Sequence, residues 1–192
     1  MGSMVTTKRG DGGESTTMSG DRYPKSHPIF RACGDVDSVR ARTAALRLTV
    51  LESGRDDAQE MGEKLLWLLH VYFLIGSHCN DPEDKHPEYR NRNLSEVELE
   101  RLEVWQAALE ERTPLQKVFI VGASNRLAAD TDILCTDVRR LERSVVELKE
   151  AVPAFDAEVV LKFINRLSDT LFVLARSFED GKHLPVEYGT LD

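Results

Sequence analysis

The amino-acid sequence predicts an all-α fold, a five-helix bundle with a glycine-rich N-terminal arm. Apolar residues recur every three or four positions in five long segments, polar connections separate these segments, and none shows the alternation of a half-buried strand. The 192 residues are 41% hydrophobic and 30% charged, a composition that provides one domain with a core and excludes a wholly disordered chain. We expect the arm over residues 1–34, the bundle over residues 35–180 and a tail over residues 181–192.

The first two helices follow the arm. Asp35 is a suitable N-cap for the first helix, which we expect to end at Gly54. The second helix presents a wide apolar face, whose members are spaced by three and four positions: Met61, Leu65, Leu68, Leu69, Tyr72, Phe73 and Ile75. A polar connection over residues 80–93 separates it from the third helix.

Cap and breaker residues bound the third helix. Ser95 followed by Glu98 is a capping box that opens this helix, and Thr113 before Pro114 ends it. Residues 119–123, which read Phe-Ile-Val-Gly-Ala, are apolar and end in small side chains. We expect them to form a tight loop rather than a strand.

The fourth helix is expected over about residues 127–152 and the fifth over about residues 156–178, because apolar residues line one side of each. Each helix also carries polar residues one turn apart: Arg139 and Glu142 on the fourth, and Asn165 and Asp169 on the fifth. Periodicity leaves two interpretations open. These clusters are either solvated stripes of intrahelical ion pairs, or two surfaces that face each other across a subunit boundary and bind an anion.

Composition also bears on the class of function. The net charge of −8 repels a phosphate backbone, so we expect no nucleic-acid binding. The longest apolar run, residues 65–76, is shorter than the roughly 20 residues that cross a bilayer, so we expect no membrane insertion. The three cysteines lie far apart without a Cys-x-x-Cys pair, which argues against a disulfide framework and favours a reducing compartment.

The arm contains a segment suited to phosphate. Residues 9–17 are rich in glycine and hydroxyl side chains, and Lys25 follows them. Glycine lets backbone N–H groups converge on phosphate oxygens, and lysine adds a compact positive charge. The segment lacks the Gly-Lys-Ser/Thr of a Walker A loop, and by itself it is also typical of a flexible terminus.

Taken in chain order, these pieces resemble the PduO-type ATP:cob(I)alamin adenosyltransferases over roughly residues 9–178. The most specific part is residues 163–172, Phe-Ile-Asn-Arg-Leu-Ser-Asp-Thr-Leu-Phe. The resemblance implies a homotrimer that binds ATP, with Mg²⁺, and cobalamin at its subunit interfaces, and it suggests a reductase as a further partner. It implies the cytoplasm for a bacterial chain and the mitochondrial matrix for a eukaryotic one.

The resemblance assigns roles on the nucleotide side of the site. It implies that arm residues close over the triphosphate of ATP: Gly10, Asp11, Gly13, Ser15 and Lys25. It implies that Arg139 contacts phosphate, that Glu142 lies near the nucleotide and its Mg²⁺, and that Asn165 belongs to the nucleotide site.

On the corrinoid side, the resemblance implies that Phe119 lies beneath the corrin ring and keeps a lower ligand off cobalt. Asp169 on the fifth helix is expected to bind the corrinoid on the same side of the site. Asp37 matches a helix-one aspartate that pairs across the subunit interface.

Several positions depart from the family pattern. Cys135 replaces the arginine that partners the helix-one aspartate, so Asp37 is expected to lose its counter-charge unless Arg40 or Arg42 restores it. Ser144 replaces an arginine that helps to hold the nucleotide. Smaller departures are found at four further positions: Arg9, Gly122, Ala123 and Asn125.

The implied reaction is transfer of the 5′-deoxyadenosyl group of ATP to cob(I)alamin, which releases triphosphate and needs no general base. A second reading of the same residues is a degenerate trimer that binds ATP or corrinoid without efficient turnover, as a sensor or interaction protein. Cys135 and Ser144 favour the second reading, and the intact arm glycines with Lys25 and Arg139 favour the first.

Overall fold

Five long helices dominate the computed structural model, which describes residues 6, 8–113, 115, 117–180 and 182–191. The helices are α1 (Pro28–Leu51), α2 (Ala58–Asn80), α3 (Glu96–Arg112), α4 (Arg126–Ala151) and α5 (Glu158–Ser177). Two short antiparallel pairs accompany them: β1 (Glu14–Thr16) with β2 (Arg22–Pro24), and β3 (Ile120–Gly122) with β4 (Leu184–Pro185). Short 3₁₀ helices cover Pro87–Tyr89 and Tyr188–Leu191. The predicted five-helix bundle with its arm is confirmed.

The first helix begins earlier than the sequence predicts. His27 is its N-cap, with the ring Nδ1 accepting the backbone N–H of Ile29 at 3.3 Å, and Pro28 suits the first helical turn because it has no N–H to leave unpaired. The predicted N-cap at Asp35 is therefore wrong, and residues 28–34 are helical. The Asp35 carboxylate is free to bind other side chains instead.

The third helix has the predicted capping box. The Glu98 carboxylate accepts the backbone N–H of Ser95 at 3.0 Å, and Thr113 is the C-cap. Pro114 lies outside the described residues. The expected bounds of the fourth and fifth helices agree with α4 and α5 to within two residues at each end.

The core lies where the helices meet. The helix α1 packs on α2 and α4, α4 packs on α5, and α5 packs on α3. The largest fully buried apolar side chains come from four of these helices and the α4–α5 connection: Tyr72, Phe155, Phe163, Met61, Leu65, Leu68, Ile75, Leu102, Leu109, Leu134 and Leu141. Each such side chain stabilises the fold by roughly 1.5–3 kcal/mol. None of the helices within the described ranges is both long and apolar enough to cross a lipid bilayer.

Residues 119–123 do not form the expected tight loop. Ile120–Gly122 is the strand β3, and its partner β4 comes from the C-terminal tail, which shows no strand periodicity of its own. The backbone N–H of Val186 donates to the carbonyl of Phe119 at 2.8 Å, which extends the pairing by one residue. Main-chain hydrogen bonds to a distant segment therefore replace the local turn that was expected.

Candidate functional site

The polar clusters of α4 and α5 lie side by side. Asn165 donates from Nδ2 to Oε1 of Glu142 at 3.1 Å, and this bond joins the two helices on their solvent-facing side. Arg139 lies one turn before Glu142 and is exposed, and it makes no hydrogen bond or ion pair with the described residues. Because no carboxylate neutralises this guanidinium, it can bind an anionic ligand at little desolvation cost.

Asp169 is held by an ordinary intrahelical contact. Its carboxylate lies 3.5 Å from Nη1 of Arg166, which precedes it by one turn, and both side chains are partly exposed. The solvated-stripe interpretation therefore fits Asp169, whereas Arg139, Glu142 and Asn165 form an interhelical group with an unpaired cation.

The arm folds into a hairpin that brings its glycines to Lys25. The backbone N–H of Lys25 donates to the carbonyl of Gly13 at 2.8 Å, and Gly13 has the positive φ of 81° that glycine tolerates. The Lys25 ammonium lies over Gly10, only 2.9 Å from the point that a Cβ there would occupy. Among the described residues this ammonium has no carboxylate partner. Asp11 is exposed and Ser15 is half-buried within β1.

Two contacts fix the hairpin to the end of α2 and the connection after it. The backbone N–H of Met18 donates to Oδ1 of Asn80 at 2.6 Å. The Lys85 ammonium lies 2.7 Å from the Asp21 carboxylate. This hydrogen bond from Lys85 lowers the pKa of Asp21 and raises the pKa of the lysine. The arm therefore has a defined position in a single protomer.

The expected loss of a counter-charge at Asp37 is not observed. Arg40 donates to the Asp37 carboxylate at 2.8 Å, and both side chains are exposed. Arg42 instead pairs with Asp137 on α4, also at 2.8 Å. Of the two arginines considered for this role, only Arg40 takes it.

Ser144 and Cys135, which stand where the family has arginine, both have partners inside the protomer. Ser144 is buried and donates to the Asp35 carboxylate at 2.6 Å, which ties α4 to α1, and Arg140 binds the same carboxylate at 2.7 Å. Cys135 is buried between α4 and α5 and donates from Sγ to the carbonyl of Ser168 at 3.2 Å. Burial raises the pKa of this thiol, so it is not activated as a nucleophile.

Phe119 presents its ring to solvent at one end of the bundle. It is 79% exposed, and Val121, which points to the same side of β3, is 66% exposed. A large apolar group gains free energy when a ligand removes it from water. This end of the bundle therefore offers an apolar surface to a flat, apolar ligand.

One protomer does not bring all of these groups together. Arg31 near the start of α1 pairs with Glu147 near the end of α4 at 2.9 Å, so the arm lies at the C-terminal end of α4 and Phe119 lies at its N-terminal end. With a rise of about 1.5 Å per residue, the 26 residues of α4 span about 39 Å. Among the described residues, no hydrogen bond joins Lys25 to Arg139, Glu142 or Asn165.

The described part of the chain contains no group of three or more His, Cys, Asp or Glu side chains that could hold a metal ion. Glu142 follows the unpaired Arg139 by three positions on the same side of α4, and Asn165 already binds one of its oxygens. A cation at this place would take most of its ligands from a bound polyphosphate, as Mg²⁺ usually does.

Sequence reasoning missed a buried ionic cluster beside residues 119–125. Arg176 is fully buried and binds Asp132 at 2.7 Å and Glu179 at 3.1 Å. Glu179 in turn accepts the backbone N–H of Ser124 at 2.6 Å. The spacing of an arginine and a glutamate by three positions at the end of a helix was the available signal.

The chain is similar in sequence to known proteins. The chain matches the family model described as cobalamin adenosyltransferase over residues 5–178. It is 32% identical over 172 residues to corrinoid adenosyltransferase MMAB of Homo sapiens, covering 90% of this chain and 67% of that protein. It is 29% identical over 179 residues to corrinoid adenosyltransferase PduO of Citrobacter freundii, covering 93% of this chain and 51% of that protein, about half its length.

The fold is similar to that of a solved structure. A phenylalanine-to-histidine variant of the PduO-type ATP:corrinoid adenosyltransferase from Lactobacillus reuteri, complexed with cobalamin and ATP, superposes with a TM-score of 0.82. The sequence identity is 24%, and the match covers 96% of both chains.

Proposed function

This chain belongs to the cobalamin adenosyltransferase family, and we propose that it transfers the 5′-deoxyadenosyl group of ATP to cob(I)alamin, giving adenosylcobalamin and triphosphate. The observation that carries the proposal is the unpaired guanidinium of Arg139 beside the Glu142–Asn165 pair, on a protein whose net charge is −8. A net negative protein that leaves this cation without a carboxylate has a local site for an anion. Lys25 over Gly10 is a second such cation.

The reaction transfers the 5′-deoxyadenosyl group through its C5′ carbon. The Co(I) electron pair attacks C5′ of ATP, the bond from C5′ to the bridging oxygen breaks, and the triphosphate leaves with those electrons. Negative charge grows on the leaving oxygen, so Arg139, Lys25 and the arm backbone N–H groups stabilise the transition state electrostatically. Their second contribution is to hold ATP so that C5′ faces cobalt. No proton moves, which agrees with a site whose thiol at Cys135 is buried and unactivated.

Phe119 acts on the cobalt side of the reaction. A cobalt centre that has lost its lower axial ligand is easier to reduce to Co(I), and an apolar ring beneath the corrin excludes that ligand. The 79% exposure of Phe119 supports this role, because the ring is free to pack against a corrin. We assign Asp169 and Asp37 to the corrinoid side of the site as well.

We place the active site between copies of the chain, in a homotrimer. The arm and Phe119 lie at opposite ends of α4, which is about 39 Å long, so one copy does not hold ATP and corrinoid against each other with its own arm and ring. An arm that reaches the α4–α5 surface of a neighbouring copy would bring Lys25 to Arg139. Sedimentation equilibrium is the test, and a monomer that retains turnover would contradict the arrangement.

We expect the divalent metal ion to be bound mainly by the nucleotide rather than by protein side chains. Mg²⁺ bound to the triphosphate would neutralise part of its charge, and Glu142 is the one carboxylate of the α4 cluster placed to reach it. The chemistry requires a reductant that forms Co(I), and we propose a reductase as the partner that supplies it. The expected location follows the source of the chain, the cytoplasm in bacteria and the mitochondrial matrix in eukaryotes.

The second candidate is a relative that binds ATP or corrinoid without efficient turnover. It is favoured by Cys135 and Ser144, because both are engaged inside the protomer and neither supplies the positive charge that an arginine would. One assay separates the two: ATP and chemically reduced cobalamin are mixed with the protein, and the spectrum of adenosylcobalamin is followed. Turnover supports the transferase, whereas tight ATP binding without a spectral change supports the sensor.

A further inference from the structure

The segment that carries Phe119 is poorly held by apolar burial. Phe119 and Val121 are 79% and 66% exposed, and β3 pairs with a strand of only two residues. A two-stranded ribbon of this size is not stable in water by itself. Other contacts must therefore hold residues 119–125, which we call the Phe119 segment.

A buried ionic cluster provides such contacts at the C-terminal end of the segment. Glu179 has a fully buried side chain, and its Oε1 accepts the backbone N–H of Ser124 at 2.6 Å. The next residue, Asn125, donates from Nδ2 to the carbonyl of Phe178 at 2.8 Å and also caps α4 through Ala128. Two consecutive residues of the segment are thus attached to the end of α5.

Arg176 supplies the positive charge beside the buried Glu179 carboxylate. Its guanidinium is 2% exposed and lies between the carboxylates of Asp132 on α4 and Glu179, with N···O distances of 2.7 and 3.1 Å. A buried carboxylate is retained as an anion only when a partner of opposite charge compensates for its lost hydration. An ionised acceptor also binds a backbone N–H more strongly than a neutral one does.

We propose that Glu179, oriented by Arg176, is a positioning residue that fixes the Phe119 segment so that the ring lies at a constant height under the corrin. Glu179 touches neither substrate. It acts through the Ser124 backbone and changes only the step that depends on Phe119. This inference rests on the proposed function, because it takes the corrin as the partner of the ring.

The test compares Glu179→Gln with Glu187→Gln. The second variant makes the same change from carboxylate to amide at an exposed side chain of the C-terminal tail. Backbone hydrogen–deuterium exchange is measured over residues 119–125, and steady-state kinetics are measured with ATP and reduced cobalamin. In Glu179→Gln we expect exchange about tenfold faster across the segment, because a charge-assisted hydrogen bond becomes a neutral one. We expect kcat to fall by about the same factor while the KM for ATP stays constant, and the signal of four-coordinate cob(II)alamin to weaken.

Unchanged exchange and kinetics in a folded Glu179→Gln protein would overturn the proposal, as would an equal change in the Glu187→Gln control. If Glu179→Gln does not fold, Arg176→Lys keeps the buried charge but loses the planar contact to both carboxylates, and the same results are expected of it. A wild-type protein without turnover would contradict the proposed function. The exchange rates would then still decide whether Glu179 holds the segment.

Discussion

The ammonium of Lys25 occupies the space directly over Gly10, 2.9 Å from where a β-carbon on that residue would lie. A β-carbon at this position would push the end of the lysine aside, so glycine allows the ammonium to lie here, next to a residue fifteen positions earlier in the arm. If Lys25 binds phosphate as we propose, Gly10 helps to set where its charge lies.

Gly10→Ala should therefore displace the Lys25 ammonium and weaken ATP binding without unfolding the protein. We expect the KM for ATP to rise about threefold, less than the effect of losing a whole hydrogen bond to a charged group, because the flexible end of the lysine can move aside at little cost. Gly12→Ala is the matched control, because nothing lies within 4 Å of its added carbon. Equal KM values for the two variants would show that the contact with Lys25 is unimportant.

Arg139→Ala should abolish most turnover while leaving the oligomer intact. The guanidinium is exposed and unpaired among the described residues, so its removal breaks no internal contact, whereas loss of one electrostatic donor at a transition state lowers kcat by about 100-fold or more. Arg143, exposed one turn further along α4, provides the control. The measurements are steady-state kinetics and sedimentation, and near-normal activity of Arg139→Ala would remove this residue from the site.

Phe119→Ala should impair formation of Co(I) more than ATP binding. Without the ring, a lower ligand can return to cobalt, so we expect slower reduction and an unchanged Kd for ATP. Tyr89→Ala, which removes a 58% exposed aromatic ring from the other end of the bundle, controls for general loss of an apolar surface. If reduction and ATP binding fall together, the ring does not have the proposed role.

Acid should weaken one of the two contacts that hold the arm on the bundle. The Lys85 hydrogen bond lowers the pKa of Asp21 in the folded protein. A carboxylate with a lowered folded-state pKa stabilises the fold above its unfolded pKa, about 3.9, and this contribution is lost as the pH falls through the lower, folded value. Hydrogen–deuterium exchange of residues 14–24 at decreasing pH should show a small loss of protection, because exposed ion pairs contribute little, and Asp21→Asn should show the same small loss at neutral pH.

Ser144→Ala should lower stability rather than activity. Its hydroxyl donates to the half-buried Asp35 carboxylate at 2.6 Å, and removing a donor to a charged group destabilises a protein by about 1–3 kcal/mol. Thermal unfolding measures the effect, with Thr136→Ala on the exposed side of α4 as the control. A selective rise in the KM for ATP at unchanged stability would instead assign Ser144 to the nucleotide site.

Sequence periodicity predicts α2 to α5 well because each buries one continuous stripe of apolar residues. It places the start of α1 wrongly because His27 is an uncommon cap, whereas Asp35 is of a common cap type. The buried stripe of α1 in fact begins before Asp35, at Ile29 and Ala32. The strand β3 is missed for a different reason. Its partner, Leu184–Pro185, is short and exposed. The strand pairing is made by main-chain hydrogen bonds, which a pattern of apolar residues does not predict.

The candidate site is predictable where residues share a helix face and unpredictable where they meet across the fold. The two polar clusters are visible in the sequence, but the interpretation that they face each other across a subunit boundary did not foresee that Asn165 binds Glu142 within one protomer. The contacts of Asp35 with Ser144 and of Glu179 with Ser124 join residues 109 and 55 positions apart, and no spacing rule connects them. Such pairs are set by how whole helices pack, which periodicity alone does not specify.

The hydrogen bond from Val186 to the Phe119 carbonyl makes the aromatic ring dependent on a piece of chain outside the helical body. A protease that cut after residue 182 would leave all five α-helices intact, and the clipped molecule would melt almost as before. It would nevertheless have lost the strand that braces the ring. Two preparations with the same circular dichroism spectrum would thus differ in specific activity if they contained different fractions of molecules with an intact C-terminal tail.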